Sequence, residues 1–541
     1  MSSRGQAQAH PVAAPSGFFV LRTPLLPFTE VTAWGRGLQA PAAGEDPGVL
    51  AEAVAADRVQ LRRRLEDIVT TPEFRDALFV ASPSLAAAVD PWRKDPDCDK
   101  GRATERSLVS YLMRAAARPT PFGLFAGCTT GTIGARTRLR FEGMSRYRRH
   151  TRLDMDYLWN LAEAVERDPD LHGELEYRPN SSLYQVGDRL LFAEARQGQT
   201  GRSYRLVAVG ITPYLMQTLA RARDGAGLGT LAAALVDHDI TRADADEYVA
   251  ELADSQVLVA DVRPQLTGAP PTDTMAATLG RHERSAHLAR QLDEAADGLA
   301  ALDADGIGVP ADRYHAVASV LDGLPVSPER SRFVQVDLTK PATEVTLGAA
   351  VVPELLRGAE VLHSLSRYRH HEGLRQFREQ FTRRYETREV PLAQVLDEEN
   401  GIGFERSSSP SSETAPLLAG LPLRRGQDHS APWTRRDTFL LDKLTRALAA
   451  GSSEITIGAA EAAAVRDSDT PPLPDAFDVQ AVLVTNGNQP SGSDDFQVLL
   501  HAVSGPSGAR LLGRFLHADD ELSQLQASAS HVAESVAKLK L

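Results

Sequence analysis

The segment Glu105–Arg118 (ERSLVSYLMRAAAR), followed by Pro119–Gly134 (PTPFGLFAGCTTGTIG), decides how this chain is read. Leu108, Tyr111, Leu112 and Ala115 recur at helical spacing, which predicts a helix with one apolar stripe and puts Arg114 and Arg118, four apart, on a common face. Pro119 and Pro121 end that helix, because proline brings no amide hydrogen and pushes the residue before it out of helical conformation. Gly123, Gly127, Gly131 and Gly134 then predict tight turns or close backbone approach. Two arginines and Thr120 are thereby delivered to one helix end, beside a glycine-rich turn.

Upstream, Phe18–Leu21 reads as an apolar strand stopped by Pro24 and Pro27, with Arg22 at its end. Residues 46–90 are Ala/Leu-rich helical patterns broken at Thr71-Pro72 and Ser82-Pro83. Downstream, 136–152 (RTRLRFEGMSRYRRHTR) holds seven Arg and one Glu, either a solvated strand hairpin or a polyanion contact. Residues 182–260 predict the order of a winged helix-turn-helix: strands at Ser182–Glu194 (turning at Gly187-Asp188) and Tyr204–Val209, helices from Thr212-Pro213, 229–236 and Thr241, and a strand at Val257–Ala260. Its third helix, Thr241–Asp254, carries one Arg and five acids, which argues against DNA reading and leaves peptide capture by strand addition. Further on come a linker at Gly268–Thr272, a helix over 280–304, a strand Phe333–Leu338 that delivers Asp337, a helix over 360–385, a loop over 405–431, a helix near 435–450, and a hairpin of Phe477–Val484 with Phe496–Val503.

The pattern is that of an α+β, multi-domain chain: mixed sheets with packed helices and an embedded winged helix-turn-helix-like peptide-recognition unit. Its expected parts are a disordered tail (1–17), an N-terminal α+β part (18–176), the winged unit (177–263), a central α+β part (264–420) and a C-terminal part (421–541). The 541 residues are 42% apolar and 24% charged, ample for several cores, and the net charge of −13 argues against a general nucleic-acid coat protein. Only 6 of the 59 basic residues are Lys, so an anion would be gripped by planar Arg forks. Cys98 and Cys128 are too few for a disulfide scaffold or a structural zinc site, and neither a secretory h-region nor a membrane span is present in the sequence, so a cytoplasmic location is expected.

Several standard sites fail. The run His370-His371-Glu372 lacks the second zinc-protease ligand, since Arg375 stands four after His371. There is no ATP-type phosphate loop and no G-x-G-x-x-G; Ser507 lacks a nucleophile elbow, and Cys128 has no histidine placed for it by the sequence. No cofactor and no metal are expected. An Arg-rich constellation survives, although each Arg taken singly reads as a surface ion pair.

ARPTPFGLFAG (117–127) preceded by Arg114, RTPLLPF (22–28), RLDMDYL (152–158), YRPNSSLYQVGD (177–188), VDL (336–338), VPLAQVLDEENGIGF (390–404) and SGARLLGRF (507–515) together resemble the N-terminal, glutamylating region of lantibiotic dehydratases. The resemblance implies transfer of glutamate from glutamyl-tRNA, as co-substrate, to Ser or Thr of a ribosomally made precursor peptide. By motif match it implies site roles for Arg22, Arg114, Arg118, Thr120, Asp154, Asp337 and Arg514, and a leader-peptide role for 177–263. Asp156 competes with Asp154 for its place, and Arg514 rests on the GRF match. The family continues beyond the point where this chain stops and carries an elimination domain absent here, so a fragment, a split enzyme with a separate C-terminal subunit and a truncated member are all open, as is a homodimer. The alternatives are a peptide aminoacyl-tRNA ligase-like enzyme and a non-catalytic leader-binding subunit.

Overall fold

Proline sets the first helices. A computed structural model describes residues 13–42, 46–198, 201–265, 268–366, 372–397, 401–404, 433–467, 470–485, 496–505, 512–518 and 524. In it α2 (Pro47–Val69), α3 (Pro72–Ala81) and α4 (Pro83–Lys94), after the short α1 (Thr29–Trp34), each begin on a proline, where the missing amide costs no helical bond. The Asp46 and Ser82 side chains accept from the first free amides of α2 and α4. With α5 (Asp99–Ala117) these helices bury Leu65, Phe74, Leu78, Trp92, Leu108 and Leu112 in one core.

The chain forms two units, one of residues 1–164, 264–362 and 472–541, the other of 165–263 and 363–471. The first unit is organised by a six-stranded mixed sheet of β1 (Phe18–Pro24), β2 (Ala126–Gly134), β3 (Arg138–Phe141), β4 (Arg148–Leu153), β11 (Val334–Thr339) and β12 (Ala342–Gly348), ordered β3-β12-β2-β11-β4 with β1 paired to β2. Val336 and Leu338 of β11 close the helical core from the sheet side. Helices α6 (Met155–Arg167), α10 (Pro271–Leu279), α11 (Ala286–Asp305), α12 (Ala311–Leu321) and α13 (Val351–Leu365), and the hairpin β13 (Asp478–Thr485) with β14 (Phe496–Ser504), complete the elements that begin in this unit.

The second unit holds β5 (Glu176–Pro179), β6 (Tyr184–Val186), β7 (Arg189–Gly198), β8 (Gly201–Gly210), α7 (Pro213–Arg221), β9 (Ala226–Gly227), α8 (Leu228–Ala233), α9 (Arg242–Asp254) and β10 (Leu258–Ala260), of which β5 and β9 are strands the sequence reading did not include. Gly187, at φ +58, makes the turn between β6 and β7 where the sequence predicts it, at Gly187-Asp188. Thr212 caps α7, Thr241 forms a capping box with Asp244 on α9, and Leu215, Leu231, Val249 and Leu252 face inward. Helices α14 (Glu372–Tyr385), α15 (Leu392–Leu396), α16 (Arg435–Ala449) and α17 (Ala459–Ala464) follow, with Phe377, Phe381, Val395 and Ile402 packed together.

Four expectations need correction. The glycine-rich 126–134 is a strand, β2, whose glycines admit its neighbours: a Cβ on Gly131 would lie 2.5 Å from Phe19 and Val345, and one on Gly127 2.8 Å from Lys340. The 136–152 window is no hairpin, because β3 pairs β12 while β4 pairs β11. The helix expected over 360–385 is two, α13 and α14, with 367–371 outside the described residues. Pro271 and Thr272, expected as linker, form the first turn of α10, and the helix expected from 280 begins at Ala286 because Gly280 ends α10. The expected tail (1–17) and loop (405–431) fall largely outside the described residues.

One buried network fastens β4 to the helices. The Arg149 Nη1 donates to the Asp76 carboxylate (3.2 Å), its Nη2 to Tyr314 Oη (2.6 Å) and its Nε to Thr151 (3.0 Å), while Tyr314 donates to Asp76 (2.6 Å) and the Gly308 and Val309 amides complete the carboxylate. The Arg149 and Asp76 side chains are wholly buried. Removing one partner strands the other charge, so Asp76→Ala should cost about 3–5 kcal/mol, and Tyr314→Phe about 1–3 kcal/mol, read as lowered urea midpoints of the full chain. Midpoints equal to wild type would show that the pair carries no stability.

Lys340 makes a second tie. Its Nζ donates to Pro24 O (2.7 Å) between the Phe141 and Tyr147 rings, and burial pushes its pKa down to about 8. A lysine depressed on folding weakens the fold while it is charged, and that penalty fades as pH rises from the folded value toward the unfolded one. Wild type should therefore gain stability relative to Lys340→Met between about pH 8 and about pH 10.5; thermal melts whose difference stays constant over that range would refute the assignment.

Candidate active site

Strand register assembles the first group of site residues. On the β4–β11 ladder His150 faces Asp337 and Arg152 faces Gln335. Alternation turns these four to one sheet face and Arg149, Thr151 and Leu153 to the other. On the same side, Arg22 of β1 lies opposite Cys128 of β2. The single 3-10 turn Gly513–Ala518 covers this face, pinned by Phe515, which packs with Cys128, Phe18, Val20, Leu512 and Leu516. Three residues per turn bring Arg514 and His517 to the same side of it.

Arg514 donates from Nε (3.1 Å) and Nη2 (2.8 Å) to a single oxygen, Asp337 Oδ1. The other oxygen, Oδ2, has His517 Nε2 at 3.4 Å and Arg152 Nη2 at 3.8 Å, yet accepts no hydrogen bond among the described residues. Asp337 is 3% exposed. Burial raises its pKa, but the His517, Arg514 and Arg152 contacts outweigh burial and hold it below the ordinary carboxylate range. Arg152 also donates from Nε (3.1 Å) and Nη2 (2.8 Å) to Gln335 Oε1 and meets His517 Nδ1 from Nη1 at 3.1 Å. Burial first, then His517, lowers the pKa of His150 against the pull of Asp303. Cys128 is pushed up to about 11 by burial, with Arg22 and Arg514 opposing, so it is a thiol at neutral pH and no nucleophile.

The motif after α5 forms the second group. Helix α5 ends at Ala117, and Arg118 is extended (φ −112, ψ 112), so Arg118 leaves the face that the four-residue spacing assigned to it. Arg114 stays in the last turn, its guanidinium 4.2 Å from the Phe122 ring centroid, with its Nε buried and without a hydrogen-bond partner among the described residues. Arg118 and Thr120 are exposed. The backbone bonds Leu26 N to Ala115 O (2.8 Å) and Leu25 N to Phe125 O (2.9 Å) tie this loop to the end of the strand bearing Arg22.

Thus Arg22, Asp337 and Arg514 come together around Cys128, and Arg114, Arg118 and Thr120 share one helix end. Asp154 sits apart as the cap of α6: its Oδ1 accepts from Asp156 N (2.9 Å) and its backbone oxygen from Leu158 N (3.1 Å). Asp156 is exposed and paired with Arg332 at 2.6 Å. Sequence reasoning missed Arg152, His150 and His517. The first two were visible as alternate residues of RRHTRL, and His517 as the residue one 3-10 turn after Arg514, but reading 136–152 as one basic window hid its two faces. Among the described residues the only side chains grouped closely enough to hold an ion are the exposed Asp237, His238 and Asp239, a common surface arrangement. No described helix is long and apolar enough to cross a membrane.

Comparison with known proteins gives one family. The subtilin biosynthesis protein SpaB of Bacillus subtilis is 25% identical over 363 residues, 65% of this chain and 34% of SpaB. The epidermin biosynthesis protein EpiB of Staphylococcus epidermidis is 20% identical over 343 residues, 62% of this chain and 34% of EpiB. The chain thus spans about a third of the length of these curated relatives. Among solved structures, the tRNA dependent lantibiotic dehydratase MibB from Microbispora sp. 107891 shares the fold with a TM-score of 0.68 at 24% identity, over 95% of this chain and 46% of MibB. The glutamylation domain of TbtB, from thiomuracin biosynthesis, matches with a TM-score of 0.54 at 17% identity, over 94% of this chain and 71% of that one. The family model for the N terminus of lantibiotic dehydratases covers residues 70–540, and the chain belongs to that family.

Proposed function

We propose that this chain transfers glutamate from glutamyl-tRNA to Ser or Thr side chains of a ribosomally made precursor peptide. The observation that carries the reading is Asp337, a buried carboxylate with one oxygen clamped by Arg514 and the other open beside Arg152 and His517. A carboxylate buried with an unfilled acceptor is costly unless a ligand completes it. The descriptions of MibB as tRNA dependent and of TbtB as a glutamylation domain support the same chemistry here.

The reaction exchanges one ester for another. A peptide hydroxyl attacks the glutamyl carbonyl carbon, the bond from that carbon to the tRNA ribose oxygen breaks, and the hydroxyl proton ends on that ribose oxygen. Ester for ester is near balance, so no ATP is required, and catalysis comes from positioning and from cations facing the oxyanion. In this reading Asp337 Oδ2 receives the hydrogen bond of the attacking hydroxyl, Arg514 and Arg22 face the developing charge, and Arg114, Arg118 and Thr120 hold the acceptor end of the tRNA or the glutamyl carboxylate. Asp154, as the cap of α6, stays a neighbour of Arg152 and supports it through charge.

For the peptide, the winged unit offers β8, the outer strand of the β6-β7-β8 sheet, with Tyr204 and Leu206 exposed. A leader segment adding there as a further strand uses main-chain bonds for affinity and alternate side chains for specificity.

Mass spectrometry of precursor peptide incubated with the full chain and glutamyl-tRNA should show added glutamyl masses on Ser or Thr. Arg514→Ala and Arg118→Ala should each reduce transfer about 100-fold or more, with leader-peptide affinity unchanged in a fluorescence titration. Addition of an amino acid at the peptide C-terminus instead would make the chain a ligase. Leader binding with no added mass under any condition would make it a binding subunit.

A further inference from the structure

His517 lies one 3-10 turn beyond Arg514, between Arg152 and Asp337, and no motif led to it. Its Nδ1 is 3.1 Å from Arg152 Nη1 and its Nε2 is 3.4 Å from Asp337 Oδ2. A guanidinium only donates hydrogen bonds. The Nδ1 facing it must therefore present a lone pair, which leaves the ring proton on Nε2, the nitrogen 3.4 Å from the open carboxylate oxygen. The geometry thus selects one protonation state, the neutral imidazole, and one of its two tautomers.

We propose that His517 is a positioning residue of the site: as a neutral, Nε2-protonated imidazole it accepts from Arg152 and lies between Arg152 and Asp337, holding the Asp337–Arg514 pair in place. The groups that face it are Arg152 and His150 from β4, Asp337 from β11 and Arg514 from its own turn; Asp303 of α11 lies 4.0 Å from His150 Nδ1, and Asp154 is the next carboxylate within the field of Arg152. The His150 and His517 rings are 4.7 Å apart. The lowered pKa of His150, set first by its burial, keeps that neighbour neutral at neutral pH.

The rate consequence rests on the glutamyl-transfer reading; the protonation state does not, and the experiment separates them. The full chain, labelled with 15N in its imidazoles, gives a His517 signal assigned by its loss in His517→Gln. At pH 7.5 that signal should be the neutral Nε2-protonated form. A charged or Nδ1-protonated His517 at pH 7.5 overturns the proposal whatever the chain catalyses. In the transfer assay, His517→Leu should lower kcat about 10- to 100-fold with the KM for peptide little changed. His517→Gln, whose side-chain amide can donate toward Asp337, should recover most of the rate. An unchanged rate in His517→Leu overturns the proposal. A wild-type chain that adds no glutamate overturns the glutamyl-transfer reading instead, and the imidazole spectrum still decides this one.

Discussion

The pairing register of β4 on β11 is the constraint on which the first unit depends. Side chains alternate along a strand, so each residue of RRHTRL belongs to one of two environments, and a slip of one position would exchange them all. In the observed register Arg149 meets Asp76 and Tyr314 inside the helical core, while His150 and Arg152 meet Asp337 and His517 on the opposite face. A slip would leave Asp76 buried without a cation and drive a histidine and a second arginine into apolar packing. The buried network is thus less a source of net stability than a lock on register, since replacing a buried ion pair by apolar groups is often neutral. The geometry of the site is fixed by the same six residues.

Much of this was legible because it is local. Proline starts, capped turns and 3.6-residue periodicity wrote α2 to α5 and α7 to α9 into the sequence, and the alternation in FVQVDL placed Asp337 on a strand. Pairing between distant segments was not legible. Glycine is depleted in strands, so β2 read as tight turns or close approach; the strand was missed, while the close approach is what Phe19, Val345 and Lys340, leaning over Gly131 and Gly127, display. The same holds at the site: Arg22, Asp337 and Arg514 were reachable by motif, but that they meet around Cys128 is a product of the β1–β2 and β4–β11 ladders and one short turn. Arg118 went astray for a local reason, since the proline that ends α5 acts on the residue before it.

The basic window shrinks on inspection in three dimensions. Of its seven arginines, Arg149 is consumed by the core, Arg152 by the site, Arg138 by Glu344 at 3.3 Å and Arg146 by Glu142 at 3.2 Å. The exposed remainder, Arg136, Arg140 and Arg148, is a modest footprint for the proposed tRNA contact. On a chain of net charge −13, binding through so few phosphates would be strongly salt-dependent. Specificity for a charged tRNA would then come from the acceptor end, where Arg118 and Thr120 are exposed, more than from the long-range field.

Two buried aspartates differ in how far their oxygens are filled. Asp76 takes the guanidinium of Arg149, the hydroxyl of Tyr314 and the amides of Gly308 and Val309, so both its oxygens are filled. Asp337 is buried to almost the same degree, yet its donors crowd one oxygen and leave the other short of a partner. Folding alone would favour closing that gap, because Arg152 stands within 4 Å and spends its hydrogen bonds on Gln335 instead. Gln335 and His517 hold Arg152 back from the carboxylate. A side-chain amide that draws a cation away from a buried anion lowers stability, and what it preserves is an open oxygen beside two arginines, the arrangement that the proposed attack of a hydroxyl on an ester would use.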